Sequence, residues 1–128
     1  MSGFLDELRT TTLPGRDRVR RLLAELRYRT PGGATWTVPA GFESDGASVP
    51  RLALVLIAPW DRAERASWLH DWLYETRSTA RSTADWLFRR AMADDGVAAW
   101  RRWLVWAAVR LAGGAVWTGR LRTDGSAP

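Results

Sequence analysis

The amino-acid sequence predicts a small α+β domain in which an antiparallel β-hairpin precedes three or four packed helices. Two short segments of alternating apolar and polar residues flank a turn early in the chain, and apolar residues recur at helical spacing in the second half. The 128 residues include nine tryptophans and are 46% hydrophobic, which is enough apolar material for one core. We therefore expect one globular domain at 18–118, between a flexible arm at 1–17 and a flexible tail at 119–128.

The hairpin is predicted from two segments on either side of a turn. The segment 18–30 contains an alternating run at 26–29, and residues 34–38 resume the alternation. Residues 31–33, one proline and two glycines, are typical of a turn, so the two segments are expected to pair as antiparallel strands. We expect these strands to form the only sheet.

Residues 38–51 are dense in glycine and proline and are expected to form a shaped loop. Gly41 can adopt backbone angles that other residues avoid. Such a loop can hold Asp45, Ser48 and backbone carbonyls against a ligand or a metal ion. Aspartate and serine also hydrogen-bond their own backbone in many loops, so a purely structural role stays open for both residues.

Helices are expected after a short apolar run at 52–58. Asp61, with Glu64 three residues later, is typical of a helix start, and this first helix is expected to end near Thr76. The second helix is expected at about 83–93, where apolar residues recur at helical spacing.

The third helix, expected at about 97–112, is apolar on nearly every side. Its arginines exclude a membrane span, because they interrupt the run of about 20 apolar residues that a bilayer requires. We expect a core helix, while a position at an interface, including a lipid surface, stays open. Its main apolar stripe contains Trp100, Leu104, Ala107, Ala108 and Leu111.

The chain has a formal net charge of +5, and all 19 of its basic residues are arginine. Arginine clusters could contact phosphates of nucleic acid or of anionic lipids, although most such clusters are solvated faces. No recognised nucleic-acid-binding module is present, which argues against a DNA or RNA partner. The absence of cysteine excludes disulfides and zinc–thiolate sites. The N-terminus lacks the pattern of a secretory signal, so synthesis in the cytoplasm is expected.

His70 is the only histidine, and the chain has neither cysteine nor lysine. Acid–base or nucleophilic catalysis at neutral pH would therefore pass through this imidazole. Tyr74 shares its helix face, whereas Asp71 lies about 100° around the helix. Asp85 on the next helix could accept the second ring N–H of His70, which leaves Asp71 to bind a hard cation such as calcium. This arrangement suits metal-assisted hydrolysis by an activated water.

Structural explanations exist for the same residues. A histidine in a helix rich in tryptophan and leucine is often buried and hydrogen-bonded without a catalytic role. Ser82, with Asp85 three residues later, matches a capping box, which alone would explain this aspartate. Both explanations stay open at this stage.

Three blocks of the sequence resemble the phage and prophage family called domain of unknown function 1353. They are the stretch from Thr37 to Arg51, the block His70-Asp71-x-x-Tyr74 and the block Ala84-Asp85-x-x-Phe88. The resemblance covers about residues 20–115. It implies a phage or prophage gene made in the host cytoplasm, with virion proteins as candidate partners, and the family name carries no activity.

A more distant resemblance is to the phospholipase A2 superfamily, particularly the cysteine-free domain of parvovirus capsid proteins. In those proteins a helix leads into His-Asp-x-x-Tyr and a later Ala-Asp supplies an aspartate, and the same order occurs here. The resemblance implies that His70 activates water, that Asp71 binds calcium, and that Asp85 and Tyr74 orient the histidine. The glycine-rich calcium loop of those enzymes is missing, and only residues 41–48 could replace it.

The residues and the resemblances together support two main hypotheses. The first is a phage-encoded, metal-assisted hydrolase of lipid or cell-envelope ester bonds, with a site formed by the 41–50 loop and the helices of His70 and Asp85. The second is a non-catalytic virion or accessory protein in which the same motifs are structural, and in which tryptophan and arginine serve a partner surface. A nucleic-acid-binding accessory protein is the third, and it requires steeply salt-dependent DNA binding.

Overall fold

The computed structural model describes residues 2–45 and 62–123. Within them, six strands form two antiparallel three-stranded sheets, and three helices follow. The α+β class predicted from the sequence is therefore confirmed. The elements are β1 (Gly3–Phe4), β2 (Thr10–Leu13), β3 (Arg16–Leu22), β4 (Leu26–Arg29), β5 (Thr35–Val38), β6 (Glu43–Ser44), α1 (Glu64–Thr76), α2 (Arg81–Asp94) and α3 (Ala99–Thr123).

The first sheet has the strand order β1-β4-β5 and contains the predicted hairpin. β4 and β5 pair antiparallel, with Leu26 opposite Val38 and Tyr28 opposite Trp36. Leu26, Tyr28 and Val38 are buried, so alternate residues of the hairpin form one side that faces the core. The Tyr28 hydroxyl also donates a 2.5 Å hydrogen bond to Asp94 at the end of α2, which connects this sheet to the helices.

The second sheet, with the order β2-β3-β6, corrects two expectations. The hairpin is not the only sheet, and the segment 1–17 is not a loose arm, because β1 pairs with β4 and β2 pairs with β3. Asp6, between β1 and β2, accepts hydrogen bonds of 2.9 Å from the backbone N–H and the guanidinium of Arg27. β2 consists of three threonines and a leucine, so it lacks the apolar alternation that would have indicated a strand.

The first two helices lie close to their predicted positions. α1 ends at Thr76 as expected and begins at Glu64, while Asp61 and the apolar run 52–58 lie outside the described residues. α2 begins at Arg81, two residues before the expected start.

α3 is longer than predicted and continues through Gly113 and Gly114 to Thr123. Residues 119–123 of the expected tail are therefore helical, and residues 124–128 lie outside the described part of the chain. Among the helices that the structure describes, none is long and apolar enough to cross a membrane.

The core lies between the three helices and the inner side of the first sheet. α2 packs against both α1 and α3, and α1 also contacts β4 and β5. Val105 and Val109 bring one side of α3 into this core. The other side carries the apolar stripe noted in the sequence, where Trp100, Leu104 and Leu111 are exposed. The expected core position therefore holds for only one side of this helix.

Candidate functional site

His70, Tyr74 and Asp85 meet in a buried cluster between α1 and α2. His70 and Tyr74 are four residues apart, so both side chains lie on the same face of α1. Arg77 ends this helix in a left-handed conformation, with φ of 51°, and its N–H donates to the carbonyl of Leu73. None of the three clustered side chains has exposed surface.

Both carboxylate oxygens of Asp85 have hydrogen-bond donors. Oδ1 lies 2.8 Å from His70 Nε2 and accepts a 2.6 Å hydrogen bond from the Tyr74 hydroxyl. Oδ2 accepts a 2.9 Å hydrogen bond from Arg110 Nη1 and lies 3.6 Å from Arg81 Nη1. The structure thus brings together three of the residues predicted for the site, and it adds one arginine from α2 and one from α3.

These donors keep Asp85 ionised. Burial raises the pKa of its carboxyl, but the hydrogen bonds from His70, Tyr74 and Arg110 outweigh burial and hold the pKa below its ordinary value. Burial and the hydrogen bond to Asp85 raise the pKa of the Tyr74 hydroxyl. Since an ionised carboxylate can only accept hydrogen bonds, His70 Nε2 and the Tyr74 hydroxyl both act as donors.

The cluster determines the tautomer of His70. Because the N–H at Nε2 donates a hydrogen bond to Asp85, the neutral imidazole carries its lone pair on Nδ1. The ring packs between two aromatic neighbours, with centroid distances of 4.2 Å to Tyr74 and 4.6 Å to Phe88. This arrangement can orient one basic nitrogen and stabilise the imidazolium that forms when that nitrogen accepts a proton.

Asp85 does not cap α2. The helix begins at Arg81, and its N-cap residue is Ala80, which makes no side-chain capping hydrogen bond. Ser82 therefore lies inside the helix, and the capping box predicted from Ser82 and Asp85 is wrong. The carboxylate is instead directed toward α1 and α3, where its hydrogen-bond donors lie.

The two predicted metal ligands occupy different environments. Asp71 follows His70 in α1 and is buried, whereas Asp45 is exposed immediately after β6. Residues 2–45 and 62–123 contain no group of three or more histidine, cysteine, aspartate or glutamate side chains that could hold a metal ion. Calcium binding therefore stays a prediction.

The predicted loop at 38–51 is described only as far as residue 45, and this part contains the short strand β6. Gly41 has a φ of 91°, and its N–H donates a 2.7 Å hydrogen bond to the carbonyl of Leu22. The glycine therefore supplies the turn that leads into β6, as its conformational freedom suggested. Ser48 lies outside the described residues.

Arg81, Arg110 and Gly113 are site residues that the sequence did not indicate. A β-carbon added at Gly113 would lie 2.6 Å from the Tyr74 hydroxyl oxygen, so the close approach of α3 requires glycine at this position. One turn later, the Trp117 ring meets the Tyr74 ring edge-on at 5.0 Å. None of these three residues stood out in the sequence, because Arg81 and Arg110 are two of many arginines and two consecutive glycines usually indicate a helix end.

Comparisons with known proteins identify the family. The family model described as "Protein of unknown function (DUF1353)" matches residues 20–109, and the chain belongs to this family. This confirms the membership expected from the three sequence blocks. The chain is also 33% identical over 82 residues to the uncharacterized protein y4jT of Sinorhizobium fredii (strain NBRC 101917 / NGR234), a match that covers 62% of this chain and 24% of the relative. No solved structure matches the chain significantly.

The two tyrosines of the chain should resist ionisation. Tyr28 and Tyr74 are both buried and each donates to a carboxylate, and burial together with these bonds raises their pKa values above the ordinary value of about 10. Because the folded-state pKa values are raised, the two tyrosines contribute fully to the free energy of unfolding below about pH 10. This contribution is lost as the pH rises above that value. We expect tyrosinate absorbance to appear only together with alkaline unfolding. Ionisation of either tyrosine near pH 10 in the folded protein would contradict the observed hydrogen bonds.

Gly113→Ala should destabilise the protein, and Gly114→Ala is its matched control. The methyl group at position 113 would collide with the Tyr74 hydroxyl, whereas at position 114 the nearest atoms belong to Arg81 at 3.9 Å. We expect Gly113→Ala to lower the free energy of unfolding by about 1–3 kcal/mol through overpacking. Gly114→Ala should leave it unchanged or raise it by up to about 1 kcal/mol through helix propensity. Urea unfolding measures both, and equal stability of the two variants would disprove the close approach.

Proposed function

We propose that this member of the DUF1353 family is a hydrolase of lipid or cell-envelope ester bonds, with His70 as the general base. The observation that carries the proposal is the buried carboxylate of Asp85, which accepts hydrogen bonds from both His70 Nε2 and the Tyr74 hydroxyl. A histidine held at one nitrogen by an ionised carboxylate can accept a proton at the other nitrogen and remain stable as an imidazolium. The resemblance to the phospholipase A2 superfamily supports the same roles for these residues.

The proposed reaction needs only water and an ester. His70 takes a proton from water at Nδ1 while the water oxygen attacks the carbonyl carbon. The bond between that carbon and the alcohol oxygen then breaks, and the proton on Nδ1 passes to the departing alcohol. An acid and an alcohol result, and His70 returns to its neutral form. Asp85 stays ionised throughout, because its own donors lower its pKa.

Asp71 is the proposed ligand for calcium. Calcium takes about six to eight oxygen ligands from carboxylates, carbonyls and water, so Asp71 would act together with further oxygen ligands. The described residues, 2–45 and 62–123, supply no group of three or more metal-ligating side chains. The proton transfers are assigned to His70, which Asp85 orients, and the contribution of calcium is decided by experiment.

We also propose a phage or prophage origin and an action on the envelope of the host cell. The support for this context is the resemblance of the three sequence blocks to a phage and prophage family. Ester bonds of membrane lipids or of envelope polymers are the corresponding substrates.

The burial of the cluster favours a second candidate function. His70, Tyr74 and Asp85 have no exposed surface, and Asp85 connects all three helices through its donors. Buried polar groups with this degree of hydrogen bonding commonly specify a fold. On this interpretation the protein is a non-catalytic virion or accessory component, and the motifs are structural.

Release of fatty acid from mixed phospholipid vesicles separates the two candidates. We expect the wild type to release fatty acid with calcium and to release less with a chelator. His70→Asn should lose about 100-fold or more of this activity, because the general base is removed. Asp85→Asn should lose activity as well, whereas Glu25→Gln, which changes a carboxylate that is 58% exposed, is the matched control and should retain it.

Circular dichroism and thermal melting establish that each variant is folded before its activity is compared. Absence of release by the folded wild type in both conditions would refute the proposed activity on phospholipid. Unchanged release by a folded His70→Asn variant would refute the role of His70. A large loss of thermal stability in Asp85→Asn, in a protein that releases no fatty acid, would favour the structural candidate.

A further inference from the structure

One side of α3 presents apolar side chains to solvent. Trp100, Trp103, Leu104 and Leu111 are 58%, 49%, 47% and 89% exposed. Trp100, Leu104 and Leu111 are spaced four and seven residues apart, so they lie along one line on the helix, opposite the side that enters the core. These four residues are called the Trp–Leu face below.

Arginine side chains flank the Trp–Leu face. The guanidinium of Arg101 lies 5.0 Å from the ring centre of Trp100, and that of Arg89 in α2 lies 4.1 Å from the ring centre of Trp103. Trp86, one turn before Arg89, is 41% exposed. The sequence of α3 contains five arginines and no aspartate or glutamate. Arg110 is paired with Asp85 in the buried cluster, so the charge of the face comes from Arg101 and Arg89, which lie beside its indole and aliphatic surface.

We propose that the Trp–Leu face binds the surface of an anionic lipid bilayer. Indole and leucine side chains fit the boundary between headgroups and acyl chains, and arginines at the edge of such a helix contact lipid phosphates. The helix lies in the plane of the surface in this arrangement.

The charge of α3 favours a lipid over a second copy of the chain. A symmetric dimer through this face would bring together the Arg89 and Arg101 guanidinium groups of two copies, and α3 contributes no acidic residue to offset them. A single-stranded nucleic acid would use arginine and stack its bases on tryptophan, but Leu104 and Leu111 provide no ring for stacking. An anionic bilayer uses both the leucines and the arginines.

Vesicle flotation tests the proposal directly. We expect the wild type to bind vesicles of phosphatidylcholine mixed with phosphatidylglycerol more tightly than vesicles of phosphatidylcholine alone, and to bind less as salt is raised. Leu104→Ser and Leu111→Ser should each lower the partition coefficient about tenfold. Leu23→Ser is the matched control, because Leu23 is 57% exposed but lies directly after β3, and it should leave binding unchanged.

Three results would overturn the proposal. The first is equal binding by Leu111→Ser and the wild type. The second is a dimer in sedimentation velocity that Leu111→Ser dissociates, without vesicle binding, which would assign the face to a second copy. The third is binding of single-stranded DNA that Leu111→Ser abolishes, again without vesicle binding.

Membrane binding and hydrolysis are measured separately. Flotation of the folded His70→Asn variant reports on the Trp–Leu face without any contribution from turnover. If His70→Asn still floats with the vesicles but no longer releases fatty acid, both proposals are supported. If the wild type floats but hydrolyses no phospholipid, only the proposed phospholipid hydrolysis is refuted. Lost flotation in Leu111→Ser with full hydrolysis of a soluble ester confirms that the face serves the membrane and not the reaction.

Discussion

The buried carboxylate of Asp85 is the interaction on which the helical half of the protein depends. It is a negative charge without exposed surface, and it is stable there because donors reach it from α1 and α3. Leaving such a charge without a partner typically costs about 3–5 kcal/mol. The three helices are therefore held in one relative arrangement by the same group that orients His70.

The far end of α2 uses the same chemistry to hold the sheet. Asp94 accepts hydrogen bonds from the hydroxyls of Tyr28 and Ser2, at 2.5 and 3.0 Å. Next to it, Asp95 accepts bonds of 3.0 and 2.6 Å from Arg65 of α1. Each end of α2 thus presents a carboxylate to a tyrosine from another element. α2 is the element against which the first sheet, α1 and α3 are positioned.

The sequence predicted the features that depend on local spacing and missed those that depend on packing. The alternation in the hairpin and the separation of His70 from Tyr74 are local, and Asp85 was found because it follows on the next helix. Arg110 joins the cluster only through the packing of α3, which no spacing reveals. The stripe through Leu111 was visible in the sequence, but periodicity does not show whether an apolar stripe meets the core or solvent.

Nitrogen NMR of the imidazole is the most direct measurement of the geometry around Asp85. His70 is the only histidine, so its two ring nitrogens give one pair of signals that needs no further assignment to a residue. We expect a proton on Nε2, where the ring N–H donates a hydrogen bond to Asp85, and we expect Asp85→Asn to change both signals. A proton on Nδ1 with none on Nε2 would contradict the account, because Asp85 would then not be the acceptor that orients His70.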